Sequence, residues 1–146
     1  MPDQLTALIP MVHAGATWFM AGLIWFVQIV HYPLMEAVPA SASPAYAKAH
    51  QRRTTWVVAP AMLMETTSAL LLLWVPRDQL AGPPLHWIGL SLLALIWIST
   101  FTVQVPLHAT LAMKFDPAVC HRLVVSNWLR TCAWSARGII ALLLLR

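Results

Sequence analysis

The chain has 146 residues, of which 60% are hydrophobic and only 10% are charged. A mean hydropathy of +0.70 together with eight Trp indicates a small polytopic membrane protein and leaves almost no sequence for a soluble domain. The net charge of +4 therefore bears on membrane topology rather than on nucleic-acid binding. The two cysteines, Cys120 and Cys132, form no CxxC motif and are predicted to be reduced thiols without a role.

Long uncharged runs divide the sequence into membrane spans. No charged residue lies between Asp3 and Glu36, or between Asp78 and Lys114, and each run exceeds the roughly 20 residues that cross a bilayer. We expect Pro33 to end the first span, which has no leader-type cleavage site. The second should begin near Pro44, since proline suits a first helical turn. The prediction is an all-α fold, an antiparallel four-helix transmembrane bundle with spans at about 5–31, 45–75, 85–108 and 119–145.

The basic residues predict the orientation of this bundle. Five of them fall in or beside the first and third loops, and two fall on the other side. The first group is Lys48, Arg52, Arg53, Lys114 and Arg122; the second is Arg77 and Arg146. By the positive-inside rule, we expect the first and third loops in the cytoplasm of a bacterium and both termini outside the cytoplasmic membrane.

Two stretches of the sequence resemble each other and suggest an internal repeat. A Val-Gln pair precedes a His at the end of the first and of the third span, at Gln28 and Gln104. The spacing from Gln28 to Arg53 is 25 residues, and that from Gln104 to Arg130 is 26. A duplicated two-helix hairpin would produce two halves related by an axis along the membrane normal. Composition alone also produces such short matches, so both explanations stay open.

Polar side chains gather where the first and third spans end and the second and fourth begin. They are Gln28, His31, His50, Arg53, Gln104, His108, Asn127 and Arg130, with Glu65 and Arg137 deeper in the membrane. Residues three and four apart share a helix face, and a charge facing lipid costs at least about 2.5–3.5 kcal/mol at mid-membrane. We therefore expect these groups to face inward, with Glu65 paired to Arg137 or Arg130. A purely architectural role, in which polar groups hold helices together, is the alternative.

Histidine is the most informative residue type in this set. His31, His50 and His108 come from three helices at one bilayer level, and imidazole suits Fe, Cu and Zn. Gln28, Gln104 or Asn127 could orient the imidazole rings by hydrogen bonds to the ring nitrogen that does not bind the metal. A haem held by His31 and His108 is a weaker alternative. We expect His13, His86 and His121 to lie at the membrane interfaces.

An organic ligand is a further possibility for the same site. The rigid donor fork of Arg130 or Arg137 suits carboxylate or enolate oxygens. Aromatic side chains nearby could flank a flat ring; the candidates are Trp56, Phe101, Trp128 and Trp134. Such a pocket would open towards the cytoplasmic leaflet of the membrane.

Three motifs carry a resemblance to known proteins. They are Gln-x-x-His-Tyr-Pro-Leu at 28–34, Gln-x-Pro-Leu-His at 104–108 and Asn-Trp-Leu-Arg-Thr-x-x-Trp-x-x-Arg at 127–137. The pattern resembles small four-span bacterial membrane proteins and, more distantly, the anthrone-oxygenase-like family. That resemblance covers the topology of the whole chain and implies oxygenation of a polycyclic phenolic substrate.

The sequence as a whole favours a small membrane oxidoreductase or oxygenase that acts on a hydrophobic, oxygen-bearing ring compound. The catalytic candidates are Arg130, Arg137, Glu65 and Asn127; the cofactor-binding candidates are Gln28, Gln104 and Trp134; the metal candidates, for Fe, Cu or Zn, are His31, His50 and His108. The alternative is a small carrier or partner subunit with a polar core. Expected partners are membrane lipid, the hydrophobic small molecule and a second copy of the chain.

Overall fold

The computed structural model describes residues 2–75 and 83–145, with side chains over 7–75 and 84–145. These residues form four long helices and no strand, which confirms the all-α prediction for this part of the chain. We number them α1 (Pro2–Phe26, π-helical Val27–His31, Tyr32–Glu36), α2 (Ser43–Leu71 with the 3-10 turn Leu72–Trp74), α3 (Pro83–Ser99, π-helical Thr100–Gln104, Val105–Met113) and α4 (Pro117–Leu143). The predicted second loop, over 76–82, lies outside the described residues.

Helices α1 and α3 continue beyond their predicted ends. The prediction that Pro33 ends the first span is wrong, since α1 runs to Glu36. The third span was predicted to end at His108, whereas α3 runs to Met113. Each proline stands two residues after a π-helical segment. The wider π turn gives room to the proline ring, which in a regular α-helix clashes with the carbonyl four residues earlier.

The beginnings of α2 and α4 follow local sequence rules. Helix α2 begins at Ser43 with Pro44 in its first turn, as predicted. The carboxylate of Asp116 precedes α4 and accepts hydrogen bonds from the backbone N–H of Ala118 at 2.8 Å and of Val119 at 3.4 Å. These bonds satisfy donors that a helix N-terminus leaves without an internal partner.

Three helices in the described residues are long and apolar enough to span a membrane, as in an integral membrane protein. The stretches are Ala7–Glu36, Ser43–Trp74 and Pro84–Met113, with 30, 32 and 30 residues. Helix α4 is shorter, with 27 residues, and buries the polar side chains of Asn127, Arg130 and Arg137. Its polar residues and those of its neighbours decide where a functional site can lie.

Helix α1 packs against α2 and α4, and α3 packs against α4 and, through Val105–Met113, against α2. Residues 37–42 and 114–116 connect the helices at one end, which we call the first-loop end. Three apolar clusters follow each other from that end: one around Tyr32 and Leu123, a middle one around Met20 and Trp134, and one around Leu72 at the opposite end. Two groups of polar side chains lie beside the middle cluster.

Candidate functional site

The inward face of α4 carries the polar side chains that the sequence placed there. Asn127, Arg130, Trp134 and Arg137 are all buried, with at most 7% of any of them exposed. The prediction that this stripe faces inward is therefore confirmed. Helix α4 is the element shared by the two polar groups described next.

The first polar group begins with a chain of hydrogen bonds whose direction is fixed. The Gln28 amide donates to the backbone carbonyl of Val124 at 3.2 Å, so its oxygen is free to accept from the Asn127 amide at 2.9 Å. The Asn127 oxygen then accepts from Arg130 Nη1 at 3.2 Å. A carbonyl can only accept, so each amide has one possible orientation. Arg130, at the end of this series of hydrogen bonds, therefore carries a positive charge but has only neutral partners.

Gln104 of α3 belongs to the same group, and its orientation is fixed in the same way. The Ser126 hydroxyl donates to the carbonyl of Leu123 at 3.2 Å, so it accepts from Gln104 Nε2 at 2.9 Å. The oxygen Oε1 of Gln104 is buried and has no hydrogen-bond partner among the described residues. Gln28 of α1 and Gln104 of α3 thus both contact α4. A two-hairpin repeat would make α2 equivalent to α4, so a contact of Gln28 with α4 would correspond to one of Gln104 with α2. The contacts of the two glutamines therefore do not follow the repeat suggested by the sequence.

The three histidines predicted to come together do so at the first-loop end. The ring centroids of His31 and His50 are 4.0 Å apart and those of His50 and His108 are 5.6 Å apart. The first pair is stacked, with 20° between the ring planes. Tyr32 Oη lies 3.2 Å from His108 Nε2, and Thr54 Oγ1 lies 3.1 Å from His50 Nδ1.

Stacked rings do not aim their nitrogen lone pairs at a common point. Accordingly, no group of three or more His, Cys, Asp or Glu in the described part of the chain is placed to hold a metal ion. The three imidazoles, Tyr32 and Arg130 instead form a cluster with unused hydrogen-bonding capacity. Nε2 of His31, Nδ1 of His108 and Nε of Arg130 are buried without a partner in this part of the chain.

The second polar group is a buried ion pair, which confirms one of the two pairings predicted for Glu65. Arg137 Nε donates to Glu65 Oε1 at 2.8 Å, and the other carboxylate oxygen accepts from Trp134 Nε1 at 2.9 Å. Arg137 Nη1 donates to the backbone carbonyl of Gly89 on α3. Glu65 is 0% exposed and Arg137 is 2% exposed, so each charge is compensated by the other within the protein.

Two expectations about individual residues are wrong. His13 is buried beside the ion pair, with Nδ1 at 3.2 Å from Ser68 Oγ, and is not an interfacial residue. Arg53, expected in the polar site, is exposed on α2. His121 is exposed. The cysteines are free thiols, as expected.

A cavity of about 380 Å³ lies between the helices beside the first polar group. Its first-loop end is lined by His50, Gln104, His108 and Arg130, and its deeper part by apolar side chains such as Met62 and Trp97. Leu63 of α2 and Phe101 of α3 also line it, and both are more than half exposed. The cavity therefore reaches the outer surface between α2 and α3.

The ion pair lies outside this cavity, although a single side chain connects the two groups. Arg130 lies over the ring of Trp134 at 5.1 Å from its centroid, while the indole N–H of Trp134 binds Glu65. Trp134 does not line the cavity, and neither do Glu65, Arg137 or Asn127. Of the residues predicted for one site, the structure thus brings His50, Gln104, His108 and Arg130 to the cavity and leaves the ion pair apart.

Sequence reasoning missed Tyr32 and Ser126. Tyr32 is 3% exposed, lines the cavity and contacts His108. Its position four residues after Gln28 puts both on one helix face, a signal that was present in the sequence. Ser126, which orients Gln104, adjoins Asn127 and had no comparable signal.

The sequence matches no protein-family model, no curated protein and no solved structure. The functional assignment therefore depends on the chain's own residues and their geometry.

Proposed function

We propose that the protein binds a hydrophobic, oxygen-bearing ring compound that enters from the membrane between α2 and α3. The observation that carries this proposal is the cavity, which is lined mainly by apolar side chains and carries its histidines and Arg130 at the first-loop end. Its volume of about 380 Å³ falls in the range of small-molecule sites, which combine apolar walls with a few polar groups. Trp97 and Phe101, stacked with centroids 5.3 Å apart, provide aromatic wall for a flat ring.

The polar end favours a ligand with both an accepting and a donating oxygen. Arg130 Nε can only donate and Gln104 Oε1 can only accept, and both lack a partner in the described residues. A buried polar atom left unpaired costs about 1–3 kcal/mol, which a ligand would recover. Both side chains line the cavity, so a ligand would meet these atoms once the two side chains turn towards it. A ring compound carrying a carbonyl and a hydroxyl fits this pair.

The reaction that we propose at this end is proton transfer to or from the ligand oxygen. Imidazole is the usual acid–base group near neutral pH, and His50 and His108 both line the cavity. Arg130 would stabilise negative charge that develops on the oxygen. This assignment is the acid–base half of the oxidoreductase or oxygenase activity that the sequence favours.

Binding can be tested with the purified protein in lipid nanodiscs. We expect saturable binding of a hydroxynaphthoquinone and weaker binding of naphthalene, measured by titration calorimetry. The variant Ala59→Phe, at a cavity-lining position, should abolish binding. The matched variant Ala94→Phe, at an exposed position of α3, should leave it unchanged. Equal binding to both variants would refute the cavity as the site.

A metal-dependent oxidoreductase is the second candidate, favoured by three imidazoles from different helices that lie within one cluster. Ligation of Fe, Cu or Zn would require the stacked His31 and His50 to turn apart. Elemental analysis of protein purified without a His-rich tag tests it. His31→Ala, His50→Ala and His108→Ala should each lower the bound metal, whereas His121→Ala should not. A wild-type content near zero after reconstitution would refute this candidate.

We further propose that α4 also crosses the membrane, which makes the chain an antiparallel four-helix transmembrane bundle. Supporting this, α4 buries its polar face and exposes apolar side chains: Val125, Trp128, Leu129, Ile139 and Leu142. A helix with this inverted pattern is stable where the surroundings are lipid. The inward-facing Asn127, Arg130 and Arg137 lower its hydropathy.

The five basic residues at the first-loop end support a cytoplasmic position for that end in a bacterial membrane. Cysteines introduced at Ser41 and at Gln79, in a background without Cys120 and Cys132, test this orientation. An impermeant thiol reagent added to intact cells should label position 79 and spare position 41. The opposite labelling would reverse the topology.

A further inference from the structure

The outer face of α2 near the first-loop end carries a stripe with a defined chemistry. Lys48, Arg52 and Trp56 follow each other at four-residue spacing, and all three are exposed, Trp56 by 79%. Four-residue spacing places them on one helix face, about 6 Å apart along the axis. They line a shallow groove together with the small side chains of Ala45 and Ala49.

The two cations of this groove are not neutralised within the protein. No ion pair joins Lys48 or Arg52 to an acidic side chain in the described part of the chain, where the salt bridge present is that of Arg137 with Glu65. The indole of Trp56 lies one turn deeper into α2 and has the amphipathic character that suits the headgroup level of a bilayer. Two cations followed by an indole match an anionic phosphate followed by glycerol and acyl chains.

The groove is continuous with the mouth of the cavity. Gln51 and Thr55 line both of them. A lipid with its phosphate at Lys48 and Arg52 would therefore place an acyl chain along Trp56, beside the opening between α2 and α3. We propose that this groove binds the headgroup of an anionic phospholipid at the entrance of the cavity. This site does not depend on what the cavity itself binds.

The experiment compares two double variants with the same change in net charge, in nanodiscs that contain phosphatidylglycerol and phosphatidylcholine. Lys48→Gln with Arg52→Gln removes the groove cations; Lys114→Gln with Arg122→Gln removes two exposed cations beside the other loop. Preference for spin-labelled phosphatidylglycerol is the readout. Because the groove cations would contact the bound headgroup directly, whereas the control cations add only to the general surface charge, we expect about a tenfold loss or more for the groove variant and a clearly smaller loss for the control.

Equal losses in the two variants, or none in the groove variant, would overturn the proposal. Inorganic phosphate and glycerol phosphate distinguish the source of the anion. We expect neither to displace the labelled lipid, and displacement at millimolar concentration would indicate a site for free phosphate instead. Should the double variant fail to fold, the single variants Lys48→Gln and Arg52→Gln provide the same test, each with an expected loss of about threefold or more.

Discussion

The two buried polar groups that share α4 differ in how their charges are compensated. In the ion pair, both carboxylate oxygens of Glu65 accept hydrogen bonds, from Arg137 and from Trp134. In the cavity group, Arg130 is also buried but bonds only to the neutral amide of Asn127 and lies over the ring of Trp134. One arginine is thus held by an opposite charge and the other by dipoles and an aromatic face.

This difference indicates that the ion pair contributes to the stability of the fold, whereas the group beside the cavity is placed to bind a ligand. A buried ion pair is costly to break, and although Nη2 of Arg137 has no partner among the described residues, the cavity that Arg137 lines has a volume of only about 10 Å³. Around the cavity, unpaired atoms on Gln104, His108 and Arg130 lie close to open space. The less charged group is therefore the better candidate for a functional site, although intramembrane charge alone would have favoured the ion pair. Four predictions test this division, from the largest expected effect to the smallest.

The largest effect is expected from Glu65→Leu. It leaves the cation of Arg137 buried without a counter-charge and should lower the free energy of unfolding by about 3–5 kcal/mol. Thermal melting in detergent measures this loss. Adding Arg137→Leu should recover part of it, because the unpaired charge is then gone. Strictly additive losses, or a loss no larger than that of the exposed control Glu36→Gln, would contradict the pairing.

Arg130→Met should act mainly on ligand binding. It removes a charged hydrogen-bond donor worth about 1.5–3 kcal/mol at the polar end of the cavity, so the Kd for hydroxynaphthoquinone should rise by about 10- to 100-fold. Titration calorimetry with naphthalene, which has no oxygen, is the control and should change little. If both ligands weaken alike, Arg130 supports the shape of the cavity and does not recognise the oxygen.

Trp134→Phe should affect stability without affecting binding. It keeps an aromatic ring beneath Arg130 but removes the N–H that donates to Glu65. Because hydrogen bonds to charged groups contribute about 1.5–3 kcal/mol, and Arg137 still holds Glu65, we expect a loss near the lower value in melting experiments. A large change in ligand affinity instead would mean that the two polar groups are coupled through this ring.

The smallest effect is expected from Gln104→Leu. Its oxygen is proposed to accept a hydrogen bond from a ligand hydroxyl, and a neutral bond contributes about 0.5–1.5 kcal/mol. The affinity for hydroxynaphthoquinone should therefore fall by about two- to tenfold, while that for naphthoquinone, which lacks the hydroxyl, stays the same. A parallel fall for both compounds would remove Gln104 from the recognition of the hydroxyl.

Much of the architecture was determined by the sequence alone. Uncharged runs longer than a bilayer is thick predict the long helices, and the cost of exposing charge to lipid predicts that Arg130 and Arg137 face inward. The pairing of Glu65 with one of these arginines follows from the same cost. Pro33 was a poorer guide, because the π-helical turn before it accommodates a ring that would otherwise end the helix.

Tertiary structure decided which polar groups meet and where space remains. Helical periodicity fixes the face of each side chain but not the separation of two helices or the rotation of a ring. Hence the sequence placed Glu65 and Arg137 in one site with His31, His50 and His108, whereas the packing of α1, α2 and α3 around α4 separates the ion pair from the histidines. The cavity between α2 and α3 depends on the packing of side chains from all four helices, and packing of that kind has no signature in any one segment.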